Sequence, residues 1–242
     1  MHKLILMSAA YQQSTEPSAE ALAHDSNNEL FSRQNRIRLE GEAIRDSLLA
    51  ISGRLNYQIG GPSVSPPIPS DITRTSKNWT TSPNAADHAR RSIYLLARRN
   101  LRFPFLEVFD APDSNLTCPE RGHSTTAPQS LTLLNSDEVM NAATATAERL
   151  LKQAKSSNEQ IELAFRLALG RRPDAKELTM AREFLQTSKR RRETAQTPDV
   201  RQTTSQSSYQ YQELTPLRSP AEGEWTELCR ALLNLNAFVY VD

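Results

Sequence analysis

Cysteine is nearly absent from this chain: 242 residues contain only Cys118 and Cys229. A disulfide framework is therefore excluded, and a zinc site would need more ligands than two thiols supply. Histidine is scarce too, and four scattered imidazoles give a hydrolytic triad no second anchor. No Gly-x-Ser-x-Gly elbow surrounds any serine. A net charge of +1 argues against a nucleic-acid-binding face, which normally carries a marked basic excess. No apolar run approaches the length that crosses a bilayer. Glycine is rare, whereas proline, serine, threonine and glutamine gather in two blocks, so the apolar deficit sits in linkers and not in helices.

What the chain does contain is helical period. The first residues imitate a short secretory signal, with Lys3 before Leu4 to Met7, yet Leu4, Met7, Ser8 and Tyr11 fall on one side of a helix that would dock on a core. Apolar steps of three and four through Ile37, Ile44, Leu48, Ile51 and Leu55 predict one long organising helix over Glu29 to Leu55. Gly60-Gly61-Pro62 and Pro66-Pro67-Ile68-Pro69 cannot continue it, so residues 56–83 read as a loop. Ser92 to Ala97 reads as a short strand, with Phe238 to Val241 as its partner.

From Pro128 the pattern predicts one or two helices ending near Lys155, with a break at Asn135-Ser136. Ser157 or Asn158 would cap the next helix, which carries Ile161, Ala164, Phe165 and Ala168 and stops at Gly170. Asp174 with Glu177 makes a capping box for its successor, completing a helical hairpin. Residues 193–220 are too polar to offset ordering entropy and read as a flexible insertion. Trp225, Leu228, Cys229, Leu232 and Leu233 then make a last amphipathic helix. The sum is a mainly α single domain over residues 1–242, with a long helix, a hairpin, an ordered irregular loop and a minor two-strand pairing.

That irregular loop, Arg90 to Pro128, carries the candidate chemistry. It packs five arginines between Arg90 and Arg102 among aromatics and prolines, a mix that loops without a task do not hold. Arg91, Arg98, Arg99, Asn100, Arg102, Asp110, Asp113, Asn115, Cys118 and Arg121 form either a ligand site or a structural clasp. Guanidinium forks suit an anion. The competing reading pairs Arg90, Arg91, Arg98, Arg99 and Arg102 with Asp110, Asp113, Glu40, Glu42 and Asp46, and a near-neutral chain supplies enough carboxylates for it. Asp110 to Asn115 offers oxygen ligands for calcium, but without the glycine and terminal glutamate of an EF-hand loop it reads as a turn. Cys118 lies near Arg121 and His123, which would favour a thiolate, though a packed cysteine is the plainer reading. Trp225, Phe238 and Tyr240 read as core before carbohydrate platform. No catalytic residue, metal or cofactor is assigned.

Several blocks, in order, resemble a family. They are His2-Lys3-Leu4-Ile5, Ser8 to Ser14, Arg38 to Leu49, Arg91-Ser92-Ile93-Tyr94, Arg99-Asn100-Leu101, Pro104-Phe105-Leu106, Phe109 to Asp113, Thr126 to Leu131, Leu133-Leu134-Asn135, Ala168 to Pro173 and Leu232 to Asp242. The chain is identified by them as similar to the planctomycete domain of unknown function fifteen-fifty-three, the PSD-one domain. The resemblance implies the C-terminal part of long exported proteins that often carry a cytochrome c-type domain. A protein partner of that kind is therefore expected, and this chain reads as truncated on the N-terminal side, without an export signal or a Cys-x-x-Cys-His haem motif. The leading expectation is a non-catalytic structural or interaction module, with any ligand contact through the Arg98 to Arg121 loop. The alternative is a hydrolase-like enzyme on a sugar polymer or anionic substrate, with Asp110 and Asp113 as acid and base.

Overall fold

The computed structural model describes residues 1–69, 72, 79–195 and 220–241. It is mainly helical. Helices α1 (His2–Leu6), α2 (Ala19–His24), α3 (Gly41–Ile51), α4 (Pro104–Val108), α5 (Ala127–Asn135), α6 (Asp137–Gln153), α7 (Ser157–Leu169), α8 (Ala175–Ala195), α9 (Pro220–Leu233) and α10 (Asn236–Val239) are joined by one small sheet. Its strands β1 (Ile37–Arg38) and β2 (Tyr240–Val241) run antiparallel, with Ile37 opposite Val241 and Arg38 opposite Tyr240.

The core is organised by α6, not by the long helix expected over Glu29 to Leu55. Along one face α6 buries Val139, Ala142, Ala143, Thr146, Ala147 and Leu150. The alanines let neighbours approach closely, and α9, α3, α5 and α7 all pack there. From α9 come the buried Trp225, Leu228, Cys229, Leu232 and Leu233. From α3 come Ile44, Leu48 and Ile51, each side chain contributing roughly 1.5–3 kcal/mol when taken from water.

The expected helix is shortened at its start because residues 25–35 follow side-chain bonds instead. The Asp25 carboxylate accepts from the Glu29 and Leu30 amides. Asn28, at φ 57, accepts from the Arg33 amide and donates to the Arg33 carbonyl and Asn35. Phe31 is left-handed as well, at φ 53. A helix tolerates neither, so the chain turns, runs through β1 and begins α3 only at Gly41. The N-terminal helix forms but does not dock: Leu4 is 75% exposed, and Met7 and Tyr11 are exposed too.

Two further expectations are corrected. Ser92 to Ala97 is not the partner of the C-terminal strand; Ser92–Tyr94 is a 3₁₀ turn, fixed because Asp46 accepts from the Ser92 amide at 2.7 Å and Arg45 donates to its hydroxyl. Phe238 and Val239 belong to α10, which leaves only two residues for the strand. The helix after Lys155 is capped by Ser156, one residue before the expected pair, in a capping box with Glu159. The break at Ser136, the left-handed stop at Gly170 and the Asp174–Glu177 box are as expected. Of the expected insertion, 193–195 end α8 and Pro220 opens α9, while 196–219 lie outside the described residues.

Candidate functional site

Three pieces of chain converge beside α3. Its first turns present Glu40, Glu42, Ala43 and Asp46; the segment after the 92–94 turn presents Leu95 to Arg98; the 111–121 loop closes the third side. Between them lies a groove of about 580 Å³, floored by Leu96, Phe103 and Leu106 and rimmed by Arg91, Arg98, Arg102 and Arg121. The 111–121 loop is held against α3 from its far end. Arg121 forks onto Glu42 at 2.9 and 3.0 Å and reaches Glu40 at 3.0 Å. Burial is the largest influence on the Glu42 carboxyl and would raise it, but the Arg121 hydrogen bonds, a backbone hydrogen bond and the Arg121 charge together outweigh it and hold the group below its ordinary range.

Along the rim the charges pair locally. Arg91 meets Asp46 at 3.3 Å, and Arg102 meets Asp113 at 3.1 Å. The Asp113 carboxylate also accepts from the Asn115 amide at 2.9 Å and its side chain at 3.0 Å. The first of these bonds does most to hold Asp113 below its usual value, with Arg102 adding to it. Asn115 in turn donates to the Arg99 carbonyl, tying the loop to the segment before α4. Among the described residues Arg98 lines the groove without an ion-pair partner.

Asp110 stands apart from this groove. Its oxygens accept from the Ser124 hydroxyl at 2.7 Å, the Ser124 amide at 2.9 Å and Gln129 at 3.3 Å, and it pairs with Arg38 at 2.5 Å. Burial would raise this carboxyl; the Ser124 bonds, then Arg38 and Gln129, reverse that and lower it. The Ser124 hydroxyl and amide thus both donate to Asp110, and His123 is exposed.

The sequence-predicted set therefore divides. Arg91, Arg98, Arg102 and Arg121 share the groove, with Asp113 behind Arg102. Arg99, Asn100 and Asn115 are exposed outside its lining, and Cys118 is exposed with its thiol donating to the Glu120 carbonyl at 3.1 Å. The expectation that Arg90 pairs with a carboxylate is corrected: it is buried, donates to the carbonyls of Gln58, Gly60 and Pro62, and lies 4.0 Å from the Tyr94 ring centroid. Carbonyl oxygens of a glycine-rich turn accept from both terminal nitrogens without a second buried charge, while the buried Nε has no hydrogen-bond partner among the described residues. Sequence reasoning missed Arg38 and Gln129 as Asp110's partners, and missed the buried Arg45, which donates to the carbonyls of Arg90 and His88 and stacks on Phe103. Only the helical spacing of Arg45 with Leu48, on the buried face of α3, carried a signal. No three histidine, cysteine, aspartate or glutamate side chains form a metal set among the described residues.

A helical domain with a charged, apolar-floored groove is the class these features define. Residues 1–185 match the PSD1 family, a protein of unknown function (DUF1553), and the chain belongs to that family. No curated protein and no solved structure matches it. No described helix is long and apolar enough to cross a membrane.

Proposed function

We propose that the chain is a non-catalytic interaction module of a larger exported protein, contacting its ligand along the groove beneath the Arg98 to Arg121 loop. The observation that carries this reading is the division of labour among the charges. Asp110, Asp113, Glu42 and Asp46 are each engaged in holding backbone or arginine in place, whereas Arg98 lines the groove with no carboxylate partner among the described residues. The apolar floor beside it supplies area for binding without supplying chemistry. A domain of cytochrome c type, which the family resemblance sets alongside, is the first partner this reading names.

A hydrolase needs one carboxyl that stays protonated near neutral pH and a second group placed against it. Asp110 and Asp113 are both held below their ordinary values, so neither is poised as the acid, and they belong to different clusters. The test is turnover of glycosides, polysaccharides, and phosphate and sulfate esters from acid to alkaline pH, with Asp113→Asn beside the unaltered chain. No turnover above buffer is the expected result. Hydrolysis that Asp113→Asn abolishes with the melting temperature unchanged overturns the reading.

A further inference from the structure

The wall of the groove contains an unfinished strand. Residues 94–96 pair on one side with Val64 in a parallel bridge: the Val64 amide donates to the Tyr94 carbonyl at 2.8 Å and the Leu96 amide to the Val64 carbonyl at 2.9 Å. In extended chain the next carbonyl and amide point the other way. These are the Leu95 carbonyl and the Ala97 amide, and neither takes part in a hydrogen bond among the described residues. They are one residue out of phase with the bridge already made and have the spacing that accepts a second parallel strand on the opposite edge. The neighbouring Leu95 amide is occupied by the Ser92 carbonyl, which disfavours an antiparallel partner centred there.

We propose, on the basis of the interaction reading above, that the groove binds an extended peptide that adds as a parallel strand to residues 95–97 and places a carboxylate on Arg98. The peptide residue opposite Leu96 donates to the Leu95 carbonyl and accepts from the Ala97 amide. Side chains two apart share a face, so the residue two places further on lies beside Arg98. The recognised sequence is thus an apolar residue, any residue, then an aspartate or glutamate. Ile93, 76% exposed, and Leu96 give the apolar side chain its contact. Arg98 provides the charge complementarity, because Arg91, Arg102 and Arg121 are already matched.

The probe is a fluorescein-labelled peptide, Thr-Thr-Val-Thr-Asp-Thr-Gly with blocked ends, followed by anisotropy and by the amide resonances of the full chain. Saturable binding that shifts the Ala97 amide is expected. Arg98→Glu is expected to weaken it at least tenfold with the melting temperature unchanged, and a peptide with lysine for aspartate restores binding to that variant. Methylating the valine nitrogen, or Ala97→Pro on the protein, removes one backbone bond each without altering charge and is expected to weaken binding by a similar factor. Absence of binding, or binding indifferent to the charge swap and to methylation, overturns the proposal. So does displacement of the peptide by acetate alone, which marks a small-anion site, or by an acidic oligosaccharide whose own binding ignores Ala97→Pro. The hydrolysis assay is independent of these arms, so a failed peptide leaves the non-catalytic reading standing and turnover removes that reading by itself.

Discussion

Asp110 adopts a left-handed backbone, φ 61, and gathers Ser124, Gln129 and Arg38 around one carboxylate. Arg38 is only 5% exposed in its side chain, so the pair is a buried charge matched at one point. Asp110→Asn keeps the left-handed conformation accessible and the shape nearly unchanged, while leaving the guanidinium unmatched. A loss of about 3 kcal/mol is expected, at the low end for a broken buried pair because the Asp110 side chain is a quarter exposed. The shift of the urea midpoint at constant slope measures it. The same carboxylate sets a pH dependence. Its folded value lies below the unfolded one, so its contribution is complete above about pH 4 and is lost as pH falls through the folded value. Glu177 behaves with the same sign and is drawn further, to about 2, by the Arg171 fork, with its bond from the Asp174 amide helping. Stability measured by urea titration is expected to fall steadily from about pH 4.5 toward pH 2, and Glu177→Gln to flatten part of that slope. A slope identical in the variant shows that Glu177 is not the source.

At the scale of elements, α3 is placed by close approach. A methyl group on Gly41 would stand 2.8 Å from the Phe109 Cβ, so the first turn of α3 touches the end of α4 with no room for a side chain. Gly41→Ala is expected to cost about 1–3 kcal/mol and to separate α3 from α4, opening the groove they border. Thermal melting reads the first effect, and the exchange rates of the 92–98 amides read the second. The sequence carried the elements whose signals are local: the Asp174–Glu177 box, the stop at Gly170, the apolar stripe of α9. It did not carry those whose signals are distant. Ile37 continues the helical period of α3 but pairs with Val241, two hundred residues on in sequence terms. Ser92 to Ala97 has strand composition, but Arg45 and Asp46 of α3 bend Ser92–Tyr94 into a turn, and the extended residues after it bridge to Val64 and not to the C-terminal strand. The groove was half legible for the same reason, since the arginines stand out in sequence while their pairing depends on which carboxylate folds against them. Arg90 went to carbonyls because the Gly60-Gly61-Pro62 turn lies against its guanidinium.

At the scale of the molecule, the family match ends at residue 185, yet the core does not. Helix α9 lies against α6 and delivers five buried apolar side chains, Trp225 among them, and β2 holds β1. A chain ending at residue 195 is therefore expected to lose cooperative unfolding and to bind a hydrophobic dye, with the helical circular-dichroism signal only partly reduced. A sharp melt in that shortened chain would show that α9 is dispensable. The two thiols add a use of their own. Cys118 is on the surface, whereas Cys229 is 2% exposed on α9, with its thiol pushed up to about 12 by burial. An alkylating reagent therefore counts one thiol on the native chain, and it reaches the second only when α9 parts from α6. In a Cys118→Ser background the remaining modification is a clock: its rate, followed against reagent concentration, times the opening of the core without any label having to be introduced.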